Sequence, residues 1–235
     1  KSSAASDVYK RQKLYIELPL SILEFIQKKG QYNMAFPFLG LFIIFLSVAA
    51  YYRKRATAQQ KKVTEDFWSR EDQANQIRRK DISNLPYITI PLEKFPIGIS
   101  DDEELTDYEN DLKNLASRKI LNLSHQSNTD LKLAYGPANL PVLSEYDQNY
   151  TTLLRNLVAY ADCLIKNGFE AEAVPVLEFG ISIDSDIRAN YTLLAGLYRE
   201  QGNASKIQEL INKAASLDSM MRSAILEQLH TLQNA

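Results

Sequence analysis

From Leu153 to Ser219 the apolar positions fall at helical spacing in successive runs, each closed by a short polar turn. The pattern returns after 34 residues. Leu157 recurs as Tyr191, Tyr160 as Leu194, Ala161 as Ala195, Leu164 as Tyr198, Gly168 as Gly202, Leu177 as Ile211 and Ile183 as Leu217, with Asp184-Ser185 matched by Asp218-Ser219. Asn167-Gly168 and Gln201-Gly202 break the first helix of each unit, so each unit reads as helix, turn, helix. Two units alone bury too little surface, since about three are needed. Met220 to Leu232 supplies a closing helix capped by Ser219, and Gly136-Pro137 opens a degenerate half-repeat through Leu140, Leu143 and Tyr146.

A different pattern precedes the repeats. Ala35 to Tyr52 reads AFPFLGLFIIFLSVAAYY, without a charge, and as a helix it measures roughly 27 Å, close to a bilayer's hydrocarbon thickness. Pro37 sits in the first turn, and Tyr51-Tyr52 form an interfacial anchor. The expectation is one transmembrane helix at 35–52. Arg53, Lys54, Arg55, Lys61 and Lys62 follow before the first acid, Glu65, against Lys28 and Lys29 on the other side. Positive flanks stay inside, which places the C-terminal domain in the cytoplasm at the plasma membrane. With no Ala-x-Ala site close behind, a retained single-pass anchor is favoured over a cleaved signal.

Lys1 to Gln12 resembles a read-through adapter, and the codons implied by Lys28-Lys29-Gly30 suit a ribosome-binding site before Met34. Residues 1–33 therefore read as a non-native or untranslated leader; the alternative is an amphipathic segment from Leu18 to Ile26 leading into the membrane. Residues 53–84 form a basic juxtamembrane helix. Its stretch from Arg53 to Lys80 carries nine basic and four acidic residues, a net of +5, enough to attract anionic lipid at about 1 kcal/mol per basic residue near the surface.

Residues 85–136 read as a strap followed by an acidic helix. Pro86, Pro91 and Pro96 among Tyr87, Ile88, Ile90, Leu92, Phe95 and Ile97 exclude a helix and give an extended segment that either packs along the domain or serves as a linear motif. Asp101 to Asp111 holds seven acids, opening a helix capped by Ser100 and running to about Asn122. The acids lack the spacing and central glycine of a calcium loop. Leu123 to Pro137 contains Ser124, His125, Asn128 and Asp130, and His125 stands in a polar turn with no second histidine or cysteine nearby.

The chain's 235 residues carry a net charge of -2 and 24% charged residues, which gives no reason to expect a nucleic-acid partner. The single cysteine, Cys163, lies among apolar neighbours as a small core residue. No Gly-rich phosphate loop, Gly-x-Ser-x-Gly elbow, histidine pair or Cys-x-x-Cys occurs, and Glu170 and Glu172 belong to a solvated face. Neither an enzyme nor a cofactor or metal protein is expected. The fold class is all-α: a transmembrane helix, a juxtamembrane helix and, at 137–235, stacked helical hairpins.

With its 34-residue period, bulky Tyr191, paired Leu194-Ala195, aromatic Tyr198 and turn Gly202, the second unit resembles the tetratricopeptide repeat (TPR) family. Ala161, Gly168 and Ala173 in the first unit and Ala214 in the second match its small positions. The resemblance implies a TPR-like α-solenoid whose inner groove is lined by first-helix residues: Arg155, Val158, Asp162, Ile165 and Lys166, then Thr192, Gly196, Arg199 and Glu200. The family's clamp for C-terminal carboxylates uses lysine, arginine and asparagine there, and Val158 and Asp162 depart from it. From Asn139 to Ala235 seven basic and twelve acidic residues give a net of -5, which favours a basic or mixed-polarity peptide. The implied role is a bacterial membrane-anchored scaffold or adaptor for a protein partner; the alternative is an outward-facing envelope or secretion assembly factor.

Overall fold

The computed structural model describes residues 35–234, so the expected leader at 1–33 lies outside the described residues. The described chain is helical and contains no strand. Its helices are α1 (Ala35–Asn75), α2 (Glu103–Ala116), α3 (Asn128–Tyr135), α4 (Leu140–Lys166), α5 (Glu170–Ser182), α6 (Arg188–Glu200), α7 (Ala204–Ala215) and α8 (Arg222–Asn234), with 3-10 turns at Leu92–Lys94 and Pro137–Asn139. The chain divides into two units between Asp66 and Phe67, inside α1.

The first unit is the N-terminal part of α1. Its large apolar side chains from Phe38 to Val48 are exposed among the described residues. Among the described residues no helix is long and apolar enough to cross a membrane. The expected span at 35–52 is thus unsupported by the helix as it stands: its apolar part stops at Tyr52, and the same helix continues as a charged shaft to Asn75 rather than giving way to a separate segment reaching 84.

In the second unit the end of α1 is clamped onto α3. Glu71 accepts hydrogen bonds from Lys132 and, at 2.7 Å, from Thr129, while Arg70 pairs with Asp130 at 2.5 Å. Ala74 is fully buried beneath them. The chain then passes Asn139, which is buried and fully used: its Nδ2 donates to the carbonyls of Lys80 (2.8 Å) and Tyr135 (2.7 Å), and its Oδ1 accepts from Arg79 Nε at 3.0 Å. A buried amide satisfied on both ends fixes position, because leaving either end unpaired costs about 1–3 kcal/mol.

The proline-spaced segment lies against the helices without forming an α-helix, extended apart from the 3-10 turn at Leu92–Lys94 and a turn at 97–99. Ile90 and Phe95 are buried in the main core, with Ile88, Leu92 and Ile97 packed on it. The backbone NH of Gly98 donates to buried Glu109 of α2 at 2.7 Å, and Tyr160 of α4 donates to the Pro96 carbonyl at 3.1 Å. The helix that follows departs from its expected bounds. Asp102, not Ser100, caps it by accepting from Leu105 NH, and it ends at Ala116, short of Asn122; just beyond, the Ile120 carbonyl accepts from Ile88 NH and Leu121 NH donates to the Tyr146 carbonyl. The polar turn around His125 leads into a short helix, α3, opened by a Ser127–Asp130 capping box.

The repeats build the remainder. Leu140 and Tyr146 do not form a separate half-repeat helix; they belong to one 27-residue helix, α4, with the first repeat. The 34-residue period is carried by the backbone. Helix α6 (Arg188–Glu200) and α8 (Arg222–Asn234) begin and end 34 residues apart, and α5 and α7 begin at Glu170 and Ala204. Gly168 and Gly202 both take positive φ, and both are followed by the same helix-closing bond, Phe169 NH to the Leu164 carbonyl (2.9 Å) and Asn203 NH to the Tyr198 carbonyl (2.8 Å). Ala161, Ala173, Ala195 and Ala214 are fully buried where helices meet, and Tyr191 is fully buried with them. Ser219 accepts from Met221 NH, just before α8 begins at Arg222.

Candidate functional site

The exposed turns of α4 and α6 carry the residues singled out by the repeat. Arg155, Lys166, Arg199 and Glu200 are exposed; Val158, Asp162, Ile165, Thr192 and Gly196 are half-buried. They lie on corresponding turns because the two helices share the 34-residue register, and their buried sides, Leu157 with Ala161 and Tyr191 with Ala195, enter the core together.

The charges on this face are not equivalent. Asp162 Oδ2 holds Lys166 Nζ at 2.6 Å one helical turn away, and this hydrogen bond, with Glu104 of α2 adding a smaller pull, keeps the Lys166 ammonium above its ordinary pKa. Arg155, Arg199 and Glu200 take part in no ion pair among the described residues. Ile165 and the neighbouring Leu193 rest on the core with an edge exposed. A Cβ added to Gly196 would meet nothing within 4 Å, so the surface of α6 is open there. Thr192, one turn earlier, donates back to the Ala189 carbonyl at 3.3 Å. The face thus presents two arginines, an apolar strip and an open stretch of helix surface.

Much of the domain's negative charge sits elsewhere. Asp184, Asp186 and Asp218 surround a cleft of about 400 Å³ that is also lined by Asn122, His125 and Tyr150. His125 Nδ1 lies 3.6 Å from Asp218 Oδ2, a pairing between distant loops that the sequence offers no signal for. Tyr150 crosses the cleft floor, accepting from Asn122 at 3.1 Å and donating to the Ile183 carbonyl at 2.9 Å; burial first, then Asp184 and Asp186, push its hydroxyl well above the ordinary tyrosine value. A second groove, of about 260 Å³ between α5, α6 and α7, is bordered by Glu178, Lys206, Glu209 and Lys213. Burial raises the Glu178 carboxyl, but its bonds to Lys206 (2.8 Å) and Tyr198 (2.5 Å) outweigh this and leave it below the ordinary value.

No cluster of three or more histidine, cysteine, aspartate or glutamate side chains is placed to hold a metal ion among the described residues. Cys163 is buried, and burial raises its thiol pKa, so it is not primed as a nucleophile. No protein-family model, curated protein or solved structure matches the chain.

Proposed function

We propose that this protein is a membrane-held, TPR-like helical scaffold that docks a protein partner on the exposed face of α4 and α6. The observation that carries the reading is the 34-residue register itself: it gives α4 and α6 equivalent faces on which Arg155, Lys166, Arg199 and Glu200 stay exposed. Stacked hairpins of this kind form an α-solenoid, whose extended surface serves binding rather than catalysis.

The anchor is the apolar part of α1. Phe38, Leu41, Phe42, Ile43, Ile44 and Phe45 are all exposed, and such a sleeve is costly in water at about 25 cal/mol per Å² of apolar surface. Although no described helix is long and apolar enough to cross a membrane, the 18-residue apolar stretch measures roughly 27 Å, and local thinning with flanking basic residues reaching the headgroups would meet the mismatch. Arg53, Lys54 and Arg55 are placed for that role and for contact with anionic lipid. By the positive-inside rule the domain is on the cytoplasmic side of a bacterial plasma membrane.

Two experiments test this. The full chain should stay with membranes through alkaline extraction, and Leu41→Lys combined with Ile44→Lys should release it; release of the unaltered chain removes the anchor. A reporter fused after Ala235 should be active only inside. Activity only outside would replace the adaptor with an outward-facing envelope or secretion assembly factor.

A further inference from the structure

We propose that the cleft among the α2–α3, α5–α6 and α7–α8 connections is a binding site for a guanidinium group on a flexible arm, held by Asp186, Asp218 and the hydroxyl of Tyr191.

The stretch between α2 and α3 brings His125 to this cleft, that between α5 and α6 brings Asp184 and Asp186, and that between α7 and α8 brings Asp218, around Tyr150 of α4. Its volume of about 400 Å³ suits a small ligand or a long side chain.

The repeat separates what packing needs here from what it does not. Tyr191 stands in register with Leu157 and Ile225, each 34 residues away, and all three side chains are fully buried. Apolar residues serve the position in both neighbouring layers, so the Tyr191 hydroxyl is surplus to the core. It has no hydrogen-bond partner among the described residues. A buried hydroxyl left unpaired destabilises the fold, and a ligand that reaches it supplies the missing partner. Burial first, then Asp184 and Asp186, raise this hydroxyl above the ordinary tyrosine value, and it acts in turn on the Tyr150 hydroxyl. The group is therefore turned towards three residues that wall the cleft.

Charge sets the class of ligand. Lys213 holds Asp184 at 2.6 Å and offsets one carboxylate. Asp186 accepts from the neutral Ser219 hydroxyl at 2.9 Å, and Asp218 faces His125 at 3.6 Å. Arg188 and Arg222, at the starts of α6 and α8, pair with neither acid; Arg222 donates to the Leu217 carbonyl at 3.5 Å. Two carboxylates are thus left without a permanent cation, and the acids and histidine are not placed to hold a metal ion. An organic cation fits. A guanidinium suits the cleft better than an ammonium, because its planar fork matches carboxylates, its face stacks on a ring such as Tyr150, and it is more weakly hydrated. Leu217 and Met220 offer apolar surface to the arm.

The test titrates the full chain in detergent micelles, by calorimetry, with agmatine and with an arginine blocked at both ends. Tighter binding of agmatine assigns the site to a free small molecule, and tighter binding of the blocked arginine to a protein side chain; either supports it. Asp186→Asn combined with Asp218→Asn should weaken binding by about tenfold or more. Tyr191→Phe should also weaken binding, while its melting temperature holds or rises because only an unpartnered hydroxyl is removed. No binding of either probe at millimolar concentration would overturn the site, as would affinity unchanged by the carboxylate pair or by Tyr191→Phe. Butylamine that binds as tightly as agmatine would overturn the guanidinium class.

Discussion

A Cβ placed on Gly180 would lie 2.3 Å from Oδ1 of Asn190, so α5 and α6 meet here at a distance that only glycine allows. Asn190 is fully buried; its Nδ2 donates to the Leu177 carbonyl at 2.9 Å while Oδ1 has no partner. Gly180→Ala should overpack this contact and lower stability by about 1–3 kcal/mol, despite alanine's better helix propensity. Asn190→Ala, which removes both the clash and the unpartnered oxygen, should recover part of the loss when combined with it. Urea unfolding of both single variants and the double gives the coupling, and strict additivity would mean that the two residues do not touch.

The positive-φ glycines separate strain from crowding. At Gly136 an added Cβ would stand 2.6 Å from the Arg78 carbonyl oxygen, whereas at Gly168 it would meet nothing. Gly168→Ala should therefore cost about 1–2 kcal/mol, the left-handed backbone penalty alone. Gly136→Ala should cost clearly more and should loosen the segment from Arg78 to Lys80. Equal melting temperatures for the two variants would deny that Gly136 serves the close approach.

These contacts mark how far the sequence is legible. Helix class follows from local periodicity, and the turn residues Gly168 and Gly202 announce their helix ends because one residue decides each. The lengths of α2 and α4 do not follow. Helix α2 stops at Ala116, short of Ile120, whose carbonyl accepts from Ile88 NH, and α4 runs unbroken because Asn149 and Tyr150 on its outer half are held by Lys119 and Asn122; these partners lie far along the chain. The clamp of α1 on α3 was equally hidden, since Glu71 and Lys132 lie 61 residues apart. On the candidate face the residues could be named from the register, but the Asp162–Lys166 pair that decides its charge depends on side-chain conformation.

The same clamp predicts a response to acid. Hydrogen bonds from Lys132, then Thr129, hold the Glu71 carboxyl below its ordinary value, and Ser127, then Arg70, do the same for Asp130. A carboxylate depressed in the folded state contributes stability that is fully present above its unfolded pKa, about 4, and is lost as pH falls through the folded value. Hydrogen exchange across residues 70–80 should be slow from pH 7 to about 5 and accelerate, relative to the intrinsic rate, below about 4. Glu71→Gln should shrink this acid-side change. Protection that survives unchanged well below the carboxylate range would show that the ion pairs do not hold the end of α1.

A membrane-held chain that docks a protein on its first-helix face can be caught by photo-crosslinking in intact cells from position 192, on that face, compared with position 212, exposed on α7. One discrete adduct is expected from position 192, recovered in the membrane fraction and absent when Asp162→Lys and Arg199→Glu are combined. Melting should be little changed in that double variant, since surface substitutions usually shift stability by less than about 0.5 kcal/mol. An adduct that persists at full strength in the double variant, or that forms equally from position 212, would contradict that docking.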